Sequence, residues 1–260
     1  MIKNSSLWRT FYAAWDLACD LPLPAACRSV TDSRQNRYAF NALYAMPLWG
    51  ALAGLAAVIL GKLLNVLLPV NGSALVFAAA VMICSELRTS SRALALNVTF
   101  FENIIGKKSF AEAQMARLDS LRSVAGLVPL LLAIFFLAGK FAAVFLIART
   151  GHYGVAAAAL VITLSGEAVL AAEPGAVNVP DICRTARTEY IVAIGGFLLL
   201  FNLIFLPLST LVVTGISAAV CITMLNCCLR KSARITSNDI TMTGGMLEFI
   251  VWIVTAVMIG

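Results

Sequence analysis

Leu164-Ser165-Gly166-Glu167 sets a carboxylate inside a long apolar run. Lys140 lies within another such run, and Glu86, Arg88 and Arg92 close a third. An ionisable side chain in hydrocarbon is costly, so each of these is a candidate for function. Arg88 and Arg92 are spaced i, i+4 and share a helix face. Two guanidiniums on one face could grip a phosphate in bidentate fashion; the plainer use of the pair is to snorkel to the headgroups. Between two apolar runs, ALNVTFFENIIGKKSFAEAQMARLDS (residues 95–120) collects Glu102, Glu112 and Asp119 among Lys107, Lys108 and Arg117. Asp239 and Glu248 flank the start of the last apolar run. Each also has a plainer reading. Asp119-Ser120 before an apolar run is a common helix N-terminus, and Glu248 could serve helix N-terminal amides.

These residues need a scaffold, and composition names its class. The chain has 260 residues, of which 61% are hydrophobic and 12% charged. Soluble domains carry about 25% charged residues. Apolar runs recur from residue 46 to the C-terminus, and a bilayer core of about 30 Å calls for about 20 such residues per helix. Backbone polar groups in lipid must be satisfied within helices or a closed barrel, and the runs show no period-2 alternation. The sequence therefore predicts an all-α, polytopic transmembrane helix bundle with the lipid bilayer as a partner. It reads as one integral membrane domain over 1–260, with an interfacial N-terminal segment at 1–45 and a cytoplasmic polar segment at 86–123. A homo-oligomer is compatible with this.

About seven spans are expected: 46–69, 74–96, 124–148, 153–172, two within the apolar stretch 190–229 divided at Pro207, and one from about 245 onward. As a single helix, 190–229 would be about 60 Å long, twice the hydrocarbon thickness. With the N-terminus inside, sixteen of the nineteen Lys and Arg residues fall in inside segments. Only Arg149 sits in an outside turn, and Lys62 and Lys140 lie within spans. That asymmetry sets the orientation and places every substantial polar segment on the cytoplasmic face. The net charge of +6 thus points to topology and anionic lipid, or to a phosphate-bearing substrate, and not to nucleic acid. Trp8, Phe11, Tyr12 and Trp15 recur at helical spacing, which suits an amphipathic helix lying in the interface or one packed on the bundle. Residues 6–20 are too polar for a signal-peptide core. The seven cysteines form no C-x-x-C pair, which argues against a disulfide framework or zinc site.

The order of several short motifs resembles the cobalamin synthase family (adenosylcobinamide-GDP ribazoletransferase). The family's Leu-Pro-x-Pro is Leu21-Pro22-Leu23-Pro24 here, and its aromatic-Pro-Leu-x-Gly is Met46-Pro47-Leu48-Trp49-Gly50. Its acidic D-G-x-A-D-x-x-D falls on residues 95–102, where the three aspartates become Ala95, Thr99 and Glu102. The preceding His falls on Ala93. Its Asp-Ser-Arg-x-Gly-x-x-Gly keeps Asp119, Ser120 and Gly126 but has Leu121 and Ser123 at the Arg and first Gly. Thr236-Ser237-Asn238-Asp239 stands at the family's Gln-Thr-Gly-Asp, followed by Gly244, Gly245 and Glu248.

The resemblance implies a transferase of the bacterial or archaeal cytoplasmic (inner) membrane. It would join α-ribazole, or its phosphate, to GDP-activated cobinamide with release of GMP, in the last steps of cobalamin biosynthesis. It implies Mg²⁺ held by Glu102, Asp119, Asp239 and Glu248, catalytic roles for Asp119, Ser120 and Asp239, and substrate contacts from Arg88, Arg92, Lys107, Lys108 and Arg122. Hard cations stabilise the charge that builds on phosphoryl oxygens, and Mg²⁺ takes carboxylate, phosphate and water oxygens. Acids at i, i+4 and i+7 present three such ligands on one helix face. Loss of two of them argues for a catalytically inactive homologue that binds a corrinoid, a nucleotide or a protein partner. A small transporter lined by Glu167 and Lys140 is the third reading.

Overall fold

The computed structural model describes residues 10, 14, 15, 19, 39–106, 127–171, 193, 196, 197, 200–231 and 237–259. Among the described residues run the helices α1 (Ala39–Leu67), α2 (Val70–Arg88), α3 (Arg92–Ile105), α4 (Leu127–Arg149), α5 (Gly154–Ala171), α6 (Leu208–Lys231) and α7 (Ser237–Ile259). Among the described residues there is no strand. Four stretches are long and apolar enough to span a bilayer: Ala45–Leu67, Val70–Arg88, Leu127–Arg149 and Asn238–Ile259. Gly154–Leu170 and Leu208–Val220 are apolar but shorter. The chain is thus a helical membrane protein. Of the seven expected spans, the one before Pro207 lies partly outside the described residues.

Three expected boundaries move. α1 begins at Ala39, so Pro47 sits inside the helix instead of opening it. α2 stops at Arg88 instead of running to 96. Ser90 and Ser91 both take positive φ, 48° and 57°. Ser90 N–H donates to the Leu87 carbonyl at 3.1 Å and Ser91 N–H to the Glu86 carbonyl at 2.7 Å. That paired 5→2 and 6→1 closure is a Schellman cap, and it separates a membrane helix from the amphipathic α3. α7 begins at Ser237, not near 245, so Gly244 and Gly245 lie in a helix interior.

α5 occupies the middle of the bundle. From Val155 to Leu170 every residue but Leu160 and Val169 is buried, the burial pattern of a helix apolar all round. Its run of alanines lets α1 come close. The buried stripe of α1 includes Gly50, Gly54 and Gly61, and a Cβ at Gly54 would lie 2.2 Å from Ala157 Cα. Small residues at such crossings allow the dispersion contacts that hold helices together in lipid. α7 packs against α5, α3, α4 and α6. Phe77, Ile147, Tyr153, Leu247, Val251 and Trp252 fill the core between them, with Phe77 and Tyr153 edge to face at 5.0 Å. Leu52, Leu55, Ile59 and Leu63 on α1 and Leu130, Leu131, Ile134 and Phe135 on α4 point outward. In water such a coat would aggregate; in lipid it faces a solvent of its own kind.

Of the N-terminal segment, Ala14 is buried and Trp15 meets Trp49 edge-on at 4.9 Å. At that point the segment packs on the bundle.

Gly54→Val tests the close crossing. We expect overpacking of about 1–3 kcal/mol or more, read as an earlier unfolding midpoint in mixed-micelle SDS titration, with Ala56→Val on the exposed side of α1 near neutral.

Candidate functional site

The charges that the sequence scatters over four helices meet in one place. Ser85, Glu86 and Arg88 come from the last turn of α2, Lys140 from the middle of α4, Glu167 from α5 and Glu248 from α7. Arg88 reaches across to Glu167 with two hydrogen bonds, Nη1 to Oε2 at 3.2 Å and Nη2 to Oε1 at 3.1 Å. Its Nη2 lies 3.9 Å from Glu248 Oε2. Lys140 Nζ lies 2.8 Å from Glu248 Oε1 and 3.9 Å from Glu86 Oε1. Lys140 also donates to Ser85 Oγ. Ser85 Oγ donates in turn to Glu248, 2.7 Å from Oε1 and 2.9 Å from Oε2. Signs alternate along the row Glu86, Lys140, Glu248, Arg88, Glu167. Glu167 is 3% exposed, Glu248 2% and Lys140 7%.

The glycine pair of α7 is what admits this row. A Cβ at Gly244 would fall 1.8 Å from Glu167 Oε1, so only hydrogen fits under that carboxylate. On the other side, a Cβ at Gly245 would lie 2.8 Å from Ala93 Cβ and 2.9 Å from Asn97 Nδ2. Asn97 locks α3 there, donating to the Ala93 carbonyl at 2.9 Å and the Met242 carbonyl at 3.2 Å. Between α2, α3, α4 and α7 is a cavity of about 30 Å³ bordered by Glu86, Arg88, Asn97, Lys140 and Glu248. Glu86 Oε2 and Asn97 Oδ1 are buried there without a hydrogen-bond donor. The space suits one small polar molecule.

Sequence reasoning singled out Arg88, Arg92, Glu102, Asp239 and Glu248, and the structure divides them. Arg88 and Glu248 join the network. Arg92 opens α3 and donates to Asn238 Oδ1 at the start of α7. Asp239 is fully buried in the first turn of α7, its carbonyl accepting from Thr243 Oγ1 at 2.8 Å. Glu102 is partly exposed near the end of α3. Glu248 is no cap partner, because α7 starts eleven residues before it. Lys107, Lys108, Asp119, Ser120 and Arg122 lie outside the described residues. Glu167 and Lys140, read as intramembrane charges, are central. Ser85 was missed; a hydroxyl in a helix carries no signal until its partner, 163 residues away, is in place.

Magnesium fits poorly on Glu248 and Glu167. Both oxygens of Glu248 accept from Ser85, and Lys140 and Arg88 flank them. Glu167 is filled by Arg88. Among the described residues no group of three or more His, Cys, Asp or Glu could hold a metal ion.

Removing one partner of a buried ion pair costs about 3–5 kcal/mol, whereas replacing both with apolar groups is often neutral. Glu167→Leu alone is therefore expected to destabilise strongly, and Glu167→Leu with Arg88→Met to recover most of the loss. Unfolding midpoints of the two single variants and the double variant give the coupling directly; additive losses would mean the pair is not an energetic unit.

No family model, no curated protein and no solved structure matches the chain.

Proposed function

We propose that the chain is a membrane-embedded homologue of the cobalamin synthase kind that binds a nucleotide-activated corrinoid at the cytoplasmic face without joining it to α-ribazole. The observation that carries this reading is the internal neutralisation of Glu248 and Glu167. Metal-assisted transfer at a diphosphate needs carboxylates open to a hard cation and to phosphate oxygens. Here protein cations occupy two of them. The acidic helix of the family pattern corresponds to α3, where Ala95 has no ligand atom. Thr99 is buried, with its hydroxyl donating to the Ala95 carbonyl at 2.9 Å. The row of charges then acts as a structural clamp on four helices, and α3 keeps its place in the bundle after losing its ligands.

Binding of the nucleotide end falls to the cations at the inner boundary. Arg92 is partly exposed at the start of α3, and Lys107, Lys108 and Arg122 follow it in sequence. A diphosphate is well served by such guanidinium and ammonium donors. The membrane is the bacterial or archaeal cytoplasmic membrane, with the N-terminus and polar segments inside, as the Lys and Arg asymmetry supports.

Calorimetric titration of the purified chain with GDP-activated cobinamide, with and without Mg²⁺, tests this. Binding is expected in both conditions, with no GMP released on adding α-ribazole. Mg²⁺-dependent GMP release would restore the transferase reading, and the absence of any binding would end both. Arg92→Ala is expected to weaken binding by about 10-fold or more, the scale of a lost charge-assisted hydrogen bond.

A further inference from the structure

Within the charged row, the Glu86 carboxylate is the one that no hydrogen-bond donor reaches. Lys140 Nζ stands 3.9 Å from its Oε1, beyond hydrogen-bond range. That ammonium is already committed, lying 2.8 Å from Glu248 Oε1 and donating to Ser85 Oγ. Arg88, on the same helix as Glu86, turns both Nη atoms to Glu167. Glu86 Oε2 is buried with no donor. A charged carboxylate oxygen enclosed in this way keeps its desolvation cost uncompensated.

Asn97 shows the complementary lack. It is 3% exposed, and its Nδ2 donates to the Ala93 carbonyl at 2.9 Å and to the Met242 carbonyl at 3.2 Å. Those two bonds use both amide hydrogens and fix the orientation of the group, so the oxygen is the end left over. Asn97 Oδ1 is buried without a donor. Glu86 and Asn97 border the same cavity of about 30 Å³. Neither orphaned oxygen offers surface to a water molecule, so solvent supplies neither. A single hydrogen on Glu86 answers both lacks. It removes the buried charge and turns an acceptor-only group into a donor.

We propose that Glu86 is a proton-binding site: it stands as the neutral acid, with Asn97 Oδ1 as the acceptor of its O–H. The Glu86 side chain is 23% exposed in the last turn of α2, which gives the proton a route to water at that end of the bundle. Uptake moves the proton from hydronium to the carboxylate, and release returns it to water. The groups that face the site are Lys140 on α4, Glu248 on α7, Asn97 on α3 and Arg88 on α2 itself. The one charged residue of α1, Lys62, lies near the C-terminal end of that helix. Loss of the proton leaves a carboxylate 3.9 Å from the ammonium that serves Glu248. Lys140 is then shared between α7 and α2, so the proton governs how α4 is held. The site stands apart from the corrinoid reading; neither requires the other.

Infrared difference spectroscopy of the full chain in phosphatidylcholine vesicles reads the proton directly. At neutral pH we expect a carboxylic C=O band that shifts in heavy water and moves when the glutamates are isotope-labelled. Glu86→Gln is expected to remove one residue's share of that band, and Glu102→Gln to remove none. Glu86→Asp keeps the acid, so it is expected to keep a carboxylic band that the glutamate label no longer moves. Asn97→Ala is expected to raise the band's frequency, as an O–H freed from its acceptor does. A wild-type spectrum without a labelled carboxylic band at neutral pH would mean an ordinary ionised side chain and would overturn the proposal, whether or not any variant folds. A band that Glu86→Gln leaves whole, or that Asn97→Ala leaves in place, would overturn it as well.

Discussion

Among the described residues, Arg88 and Lys140 meet Glu86, Glu167 and Glu248 inside an apolar helix bundle, and the rest of the arrangement follows from the need to pair them. An unpaired ion in such a place costs several kcal/mol, and attraction between partners offsets this only when geometry is good and the remaining donors and acceptors are filled. Arg88 meets the geometric condition with its two-pronged contact to Glu167. At Glu248, Lys140 and Ser85 meet the second by filling the carboxylate oxygens. The network therefore specifies how α2, α4, α5 and α7 stand against one another. The apolar contacts alone would tolerate sliding, because lipid is as good a partner for Leu as another helix is.

Glycine makes that pairing sterically possible. Gly244 is where Glu167 enters α7, and no other residue leaves space for the carboxylate. Gly54 does the equivalent for the backbone contact of α1 with α5. A glycine pair in a helix interior weakens the helix by roughly 1 kcal/mol per residue relative to alanine. The cost is accepted at Gly244 and Gly245 because the helix there is pinned from both sides, by Glu167 and by Asn97 of α3.

The same network bears on the resemblance to cobalamin synthase. A carboxylate can hold a metal or balance a neighbouring cation, and in Glu248 the second use prevails. Ala95 and Thr99, at the positions where the acidic motif of that resemblance would fall, lie on α3, which packs against α7 and α4. Fold-bearing residues of the pattern, the glycines before Glu248 among them, have structural work here that does not depend on catalysis.

Hydropathy, length and charge asymmetry are local properties, so the sequence by itself determined that the chain is helical and membrane-embedded, and placed α4, α5 and the break at Pro207 to within a few residues. It also marked Arg88, Lys140 and Glu167 as out of place in hydrocarbon. The start of α7 and the end of α2 were not legible, since a Schellman cap built on serines and a glycine pair buried in a helix both run against local propensity. Which charge answers which was decided by tertiary structure alone. Arg88 and Glu167 are 79 residues apart, Ser85 and Glu248 163 apart, and no pattern along the chain encodes a pairing made only when separate helices are brought side by side.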